Sequence, residues 1–380
     1  MRFAFTNQEE AFRTELRAFL EEHRTNGVPE EEPDRLLETA LAQHGWLTMA
    51  WPQKYGGAGA THVQQLIFKE ELSRADGTVD FLGTNLVGPT IMVHGNDEQK
   101  EEHLPRIARA ERRWCQGFSE PNAGSDLASL QTRAVRDGDE FVINGQKIWT
   151  SSAHIADWIM LLTRTDPEAP KHRGISMFLV ELKTPGITIR PLTQITGAHG
   201  FNEVFFEDVR VPASNMVGEI NRGWYVATTT LDFERSGIER NLTARKDWQR
   251  VYDFIRTPSG RAAVVDRSGA WRHALAELTV EIEVGQAIAR RIAYMQGQGL
   301  IPNYEAAMSK AYNSEVGQRV AQVVVNLFGL AGQAAHGSHA PLNGATVFRY
   351  LDSRRLTVGQ GTSEINRNVI ATRGLGLPRG

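Results

Sequence analysis

Three short segments hold the residue types from which a small-molecule site could be built. Gly117-Phe118-Ser119-Glu120-Pro121-Asn122-Ala123-Gly124-Ser125-Asp126 combines small hydroxyls with turn formers. Lys147-Ile148-Trp149-Thr150-Ser151-Ser152 sets hydroxyls beside an indole, and Gly359-Gln360-Gly361-Thr362-Ser363-Glu364-Ile365-Asn366-Arg367 opens on glycines. Short hydroxyls and their own backbone N–H groups, beside an aromatic wall, suit a flat ring that is apolar on its faces and polar along one edge. Each segment alone has a plainer reading: Pro121 to Asp126 as a turn, Trp149 as a core aromatic, Gly359 to Thr362 as a helix–loop junction. A fourth stretch, Leu231-Asp232-Phe233-Glu234-Arg235, offers a carboxylate for proton transfer beside a cation. The commonest fate of such a helical glutamate is a surface ion pair.

Other chemistries find little support. No Gly-x-Gly-x-x-Gly follows a strand, so a Rossmann dinucleotide site is not indicated. His94, His199 and His336 lack metal-ligand spacing, and no metal site is expected. Cys115 is the one cysteine, which excludes an intrachain disulfide and suits a reducing cytoplasm. A net charge of −3 over 380 residues argues against nucleic-acid or membrane-surface partners. Met1 to Glu10 carries acids and no long apolar run, and Trp158 to Leu162 is typical of the longest apolar stretches, so neither a signal peptide nor a membrane span is expected. The expectation is a soluble cytoplasmic protein.

The elements that would position these residues follow from periodicity. Phe12, Leu16, Phe19 and Leu20 fall on one helical face; Arg35 to His44 repeats the pattern and stops at Gly45, and a further helix spans Val63 to Ser73. From about Trp114 the pattern turns to strands. Asn144-Gly145 inside Glu140 to Trp149 predicts a tight hairpin, and Ile175 to Glu181 and Val204 to Val211 predict further strands. From about Gly223 the helical period returns, with one long helix through Leu275, Leu278, Ile282 and Ala289 and another over Ala306 to Leu327. Helices, a compact β block, then helices again make an α+β chain.

In their order and spacing, the three segments together resemble the acyl-CoA dehydrogenase family over essentially the whole chain. The resemblance implies an N-terminal helical domain over 1–113, a central β-barrel-like domain over 114–221 and a C-terminal four-helix-bundle domain over 222–380. It implies FAD as cofactor, an acyl-CoA substrate dehydrogenated across its α,β-carbons, and electron-transferring flavoprotein as electron acceptor. By resemblance Gln116, Phe118, Ser119, Gly124 and Ser125 line the flavin's pyrimidine side, Trp149 lies against the ring and Ser151 approaches N5. Thr362 and Glu364 match positions near the adenosine and phosphate portion. Ser125 also matches a position near the pantetheine, and Asp232 and Arg235 match positions that contact the CoA.

Two departures from the family pattern matter. In short- and medium-chain members the catalytic base is a glutamate just before the Gly-Thr of the third segment, and here that position is Gln360. Isovaleryl- and long-chain-type members instead carry the glutamate on the helix after the β domain, immediately before an arginine. Glu234 matches that place, and Gln360 keeps the backbone N–H that would bind the thioester oxygen. Glu239-Arg240 repeats the pair five residues on, but a straight helix turns it away from the same site. The second departure concerns assembly. An Arg-x-x-Phe-Gly-type segment that reaches a neighbouring subunit's pyrophosphate is missing from Asn241 to Arg261, and Leu330 replaces a glycine in Phe328-Gly329-Leu330-Ala331-Gly332. This pattern is similar to bacterial members that act on steroid or other bulky acyl side chains, some of which pair with a related subunit. A homo- or heterotetramer, or a dimer, is implied.

Two alternatives stay open. The chain could be a non-catalytic partner that completes another subunit's flavin site, which Gln360 favours and Glu234 opposes. It could also run another flavin chemistry, such as nitroalkane oxidation, which would want an acid at 360, or an oxidase reaction. Gly88 and Gly237 could open an acyl pocket or merely allow close packing.

Overall fold

A computed structural model describes residues 5–23, 34–235, 238–266 and 268–378, with the backbone alone over 231–235. Among these residues the helices are α1 (Asn7–His23), α2 (Arg35–Gln43), α3 (His62–Arg74), α4 (Gly88–His94), α5 (Asp97–Ala108), α6 (Gly223–Arg235), α7 (Glu239–Arg256), α8 (Pro258–Ala263), α9 (Trp271–Gly297), α10 (Tyr304–Phe328), α11 (Ala345–Asp352) and α12 (Ser363–Val369). The strands are β1 (Trp114–Gly117), β2 (Arg133–Asp137), β3 (Glu140–Ser151), β4 (Trp158–Arg164), β5 (Ile175–Glu181), β6 (Ile187–Leu192), β7 (Phe201–Pro212) and β8 (Met216–Val217). The chain forms two compact units, one of His23–Ala60 with Gly77–Glu234, the other of Met1–Glu22, Thr61–Asp76 and Arg235–Gly380.

The first unit is built on one eight-stranded sheet in the order β6-β7-β3-β2-β4-β5-β8, with β1 added in parallel to β4. β4 and β5 are almost continuous apolar runs because both of their faces are buried. Side chains alternate across a strand, so Met160, Leu162, Met177 and Leu179 join Ile91 of α4 and Leu104 and Ile107 of α5 in one core. Ile159, Leu161, Phe178 and Val180 join Phe141, Ile143, Val204, Phe206 and Val209 of β3 and β7 in another. Each such side chain contributes roughly 1.5–3 kcal/mol on burial. Gly88 serves close packing: a Cβ there would lie 2.1 Å from Trp51 Cζ2, and the Trp51 indole N–H donates to Thr84 O at 2.8 Å. Gly237 lies outside the described residues.

The hairpin expected at Asn144-Gly145 does not form. β3 runs straight through the pair, and the turn lies at Gly138 (φ 62), between Asp137 of β2 and Glu140 of β3. Tertiary contacts take over both residues. The Asn144 amide donates to Asp208 Oδ1 at 3.0 Å and accepts from Asp208 N–H at 2.9 Å across β7. Gly145 lies against Thr132, where a Cβ would approach within 2.7 Å. The pair therefore makes a register shift between β3 and β7 rather than a turn.

In the second unit α7, α9 and α10 share a core of Val251, Ile255, Leu275, Leu278, Ile282, Val316, Val320 and Phe328. Leu66 of α3 packs with Leu242 of α7 and Ala289 of α9. α1 is fastened to α3 by a bidentate Arg17–Glu71 pair at 2.7 and 2.9 Å and by Arg13–Glu70 at 3.0 Å. Glu239 begins α7, separate from α6, and pairs with Lys69 of α3 at 2.7 Å.

Candidate active site

The first segment leaves β1 at Gly117 and is tied down at both ends. Phe118 is buried in the sheet-unit core, and Gln116 and Ser119 are half-buried. Glu120 N–H donates to Ala123 O at 3.0 Å and Ala123 N–H returns to Glu120 O at 3.1 Å, so the Pro121–Asn122 step is a closed turn as its residue types suggest. Gly124 and Ser125 follow on the surface, and Asp126 pairs with Lys171 at 2.7 Å.

The second segment lies beside the first, because Ile148 N–H donates to Ser119 O at 2.9 Å. Between Lys147 and Thr150 the register of β3 on β7 slips, and at this slip Trp149 takes φ 59. A left-handed backbone is costly for a bulky residue, of order 1–3 kcal/mol. The result is an indole 59% exposed, with the Phe201 ring edge-on at 6.1 Å. Trp149 is therefore not a core aromatic. Ser151, next but one, is exposed.

Beneath these residues lies a buried charge cluster. Glu120 Oε1 accepts from Lys147 Nζ at 2.8 Å and from Thr132 N–H at 2.8 Å, while Oε2 accepts from Gln131 N–H at 2.6 Å. Lys147 Nζ also donates to Phe118 O at 3.0 Å. The Arg164 guanidinium donates to Ala128 O at 2.5 Å and Leu130 O at 3.3 Å. Burial pushes the Lys147 ammonium down to about 8, against the pull of Glu120. Desolvation raises the Glu120 carboxyl, but Lys147 and the N–H donors outweigh it and hold it below the usual range. Glu120 and Lys147 stand inside the first two segments, but nothing in the sequence pairs them with each other or brings Arg164 to them. A signal was present: Lys147 keeps the odd-numbered parity of Phe141 and Ile143, which face the core.

α6 carries the proposed base. Thr230 Oγ1 on α6 and Thr90 Oγ1 on α4 are 2.8 Å apart and buried, and His94 Nε2 meets Thr229 Oγ1 at 2.9 Å. Glu234 follows Thr230 by one helical turn. The side chains of Glu234, Asp232 and Arg235 lie outside the described residues.

The third segment belongs to the other unit. Gln360 and Gly361 are both left-handed, at φ 59 and φ 85, and Asn366 Nδ2 donates to Gly361 O and Thr362 O at 2.9 Å each. Thr362 caps α12 by accepting from Ile365 N–H at 3.1 Å. Gln360 is exposed, and its N–H has no partner among the described residues. Glu364 is exposed in the first turn, its carboxyl held below the ordinary range by its own backbone N–H and by Thr362.

These features fit a flat heterocycle with a polar edge. Trp149 offers an uncovered aromatic face, and Ser119 beside it has an N–H and a hydroxyl without partners among the described residues. Among the described residues there is no cluster of three or more His, Cys, Asp or Glu able to hold a metal, and no helix long and apolar enough to cross a membrane.

The family profiles described as acyl-CoA dehydrogenase N-terminal, middle and C-terminal domains match residues 6–111, 115–209 and 221–375. The acyl-CoA dehydrogenase FadE34 of Mycobacterium tuberculosis is 39% identical over 348 residues, 91% of this chain and 47% of FadE34, so the chain spans about half the length of that relative. The solved structure described as Tcur3481-Tcur3483 steroid ACAD is 34% identical, with all of both chains covered and a TM-score of 0.89. The ChsE4-ChsE5 complex from Mycobacterium tuberculosis is also 34% identical over all of both chains, with a TM-score of 0.86.

Proposed function

This chain belongs to the acyl-CoA dehydrogenase family, and from that premise we propose that it dehydrogenates a bulky acyl-CoA thioester with Glu234 as the base. FAD is the family's cofactor and this chain's. Bound there, FAD supplies the acceptor for the hydride that leaves the β-carbon. In this reading Trp149 forms the wall of the ring site, and Ser119 and Ser151 donate to its polar edge, with Gln116, Phe118, Gly124 and Ser125 around them. Thr362 and Glu364 attend the adenosine and phosphate portion, and Asp232, Arg235 and Ser125 the CoA.

Glu234 accepts the α-proton in this mechanism. The Gln360 N–H donates to the thioester oxygen and stabilises the enolate-like charge that develops as the proton leaves. A neutral amide at 360 cannot itself accept the proton, so the helix position is the one remaining in the family pattern. In the same reading electron-transferring flavoprotein would be the onward electron acceptor. The division into 1–113, 114–221 and 222–380 belongs to the same reading, supported by the spans of the three family profiles.

The observation that carries the reading is Trp149, turned out by a register slip, strained and uncovered, beside Ser119 donors that have no partner among the described residues. The bulky-substrate assignment draws support from the likeness to a structure described as a steroid ACAD. An anaerobic titration of the purified protein with straight-chain, branched and steroid-like acyl-CoAs, followed by the flavin's visible absorbance, tests it. Bleaching by the steroid-like class is expected; bleaching by straight chains alone removes the substrate class.

A second reading is favoured by Gln360 and by the likeness to the ChsE4-ChsE5 complex. In it the chain is one half of a heteromer and completes a partner's flavin site. Flavin retained by the chain expressed alone supports the first reading, and a colourless chain supports the second.

A further inference from the structure

The two peptide planes that flank Ser119 are both fixed from the protein side. Ser119 O accepts from Ile148 N–H at 2.9 Å, which sets the plane that follows. Phe118 O accepts from Lys147 Nζ at 3.0 Å, which sets the plane before it. In a trans peptide the carbonyl and the N–H point in opposite directions. A carbonyl drawn inward to a buried ammonium therefore leaves its own N–H, that of Ser119, directed outward. That N–H and the Ser119 hydroxyl are the groups here without partners among the described residues.

Lys147 is fully buried on a strand face it shares with Phe141 and Ile143. An apolar side chain would fill that place without the penalty of burying an ammonium. The charge is held in place by Glu120, whose remaining lone pairs take the Gln131 and Thr132 N–H groups at the far end of the same loop. Arg164 faces the pair from β4 and fastens the intervening Ala128 and Leu130 carbonyls. The loop is thus fixed at its start, middle and end, and Lys147 is the member that touches the peptide bearing the exposed donor.

We infer that Lys147, anchored by Glu120, is a positioning residue for the cofactor site: by holding the Phe118 carbonyl it aims the Ser119 N–H at the polar edge of the flavin. This rests on the proposed flavin site at Ser119 and Trp149. The role is distinct from general support of the fold, because it acts through the orientation of one peptide.

The test uses the full chain and three proteins: the parent, Lys147→Met, and the double variant Glu120→Gln/Lys147→Met. FAD dissociation constants, the visible spectrum of bound flavin and thermal unfolding of the flavin-free chain are measured for each. Lys147→Met leaves Glu120 buried and unpaired, so loss of stability is expected. The double variant removes the stranded charge, and its unfolding midpoint is expected to return toward that of the parent. Its FAD affinity is expected to stay about tenfold or more below the parent's, the worth of one well-aimed hydrogen bond, with a shifted visible band. FAD affinity and spectrum that recover together with stability overturn the inference. Should the double variant not fold, Lys147→Arg takes its place: it keeps the charge for Glu120, but its planar fork does not fit the same point. Weakened FAD binding in a folded Lys147→Arg supports the role, and parent-like binding overturns it. A parent chain that takes up no FAD overturns the flavin site itself and the inference with it, whereas a parent that binds while the variants bind equally well overturns the role of Lys147 alone.

Discussion

His103 Nδ1 accepts a hydrogen bond from the Arg112 guanidinium at 2.6 Å, which requires the imidazole to be neutral at that nitrogen. The ring is buried on α5, edge-on to Trp114 at 5.1 Å and Trp158 at 4.8 Å. Burial first, and the Arg112 charge second, push its pKa down to about 4. The unfolded value is higher, about 6.5, so the unfolded chain binds more protons in between. The contribution is therefore fully present above about pH 6.5 and drains away as pH falls toward 4, by about 3 kcal/mol at the limit. Urea midpoints of the parent and His103→Gln at pH 7 and pH 4.5 check this. The parent should lose more stability than the variant on acidification, and equal losses would remove His103 as a source of acid sensitivity.

Glu234→Gln should retain FAD and lose reduction by acyl-CoA by about 100-fold or more, the usual cost of removing a general base. Stopped-flow bleaching under anaerobic conditions measures it. Near-parent rates would return the search for the base to other carboxylates.

Gln360→Gly separates backbone from side chain. The left-handed backbone at φ 59 suits glycine, so stability should rise by up to about 1 kcal/mol. Because the proposed contact is through the N–H, turnover should stay within about threefold of the parent. A drop far beyond that would assign work to the Gln360 amide.

Trp149→Ala removes a side chain that contacts little of its own chain. The flavin-free protein should change by less than about 1 kcal/mol, read from thermal unfolding, while FAD binding weakens by about tenfold or more. A large stability loss with unchanged FAD affinity would return Trp149 to the core.

Gly88→Ala drives a Cβ into the Trp51 ring and should cost about 1–3 kcal/mol. A neutral result in chemical denaturation would mean that α4 can shift away from Trp51 at no cost.

Much of the fold was legible from periodicity, because it is local. Leu16 and Leu20 face the core as their spacing predicts, Gly45 ends α2 at φ 78, and the return to helix at Gly223 marks the start of α6. The segments that mark the family were equally local, as was the substitution of Gln360 for a glutamate. The grouping of elements was not. α1 and α3 belong with the C-terminal helices, while α2, α4 and α5 belong with the sheet, because burial partners follow from packing rather than from chain order.

The site divides the same way. Residue types by themselves determined that Ser119, Ser151 and Trp149 could serve a flat polar-edged ring, since hydroxyl and indole chemistry travels with the side chain. Tertiary structure decided how they are presented. Asn144-Gly145 has every local mark of a turn, yet Asp208 and Thr132 claim its side chain and its missing Cβ, and the strand continues to Trp149. The register slip against β7 turns Trp149 outward, and only the fold brings Lys147 to both Glu120 and the Phe118 carbonyl. A backbone's hand at a bulge and the partner of a buried charge depend on strands and loops distant in sequence. No period or motif within one segment encodes them.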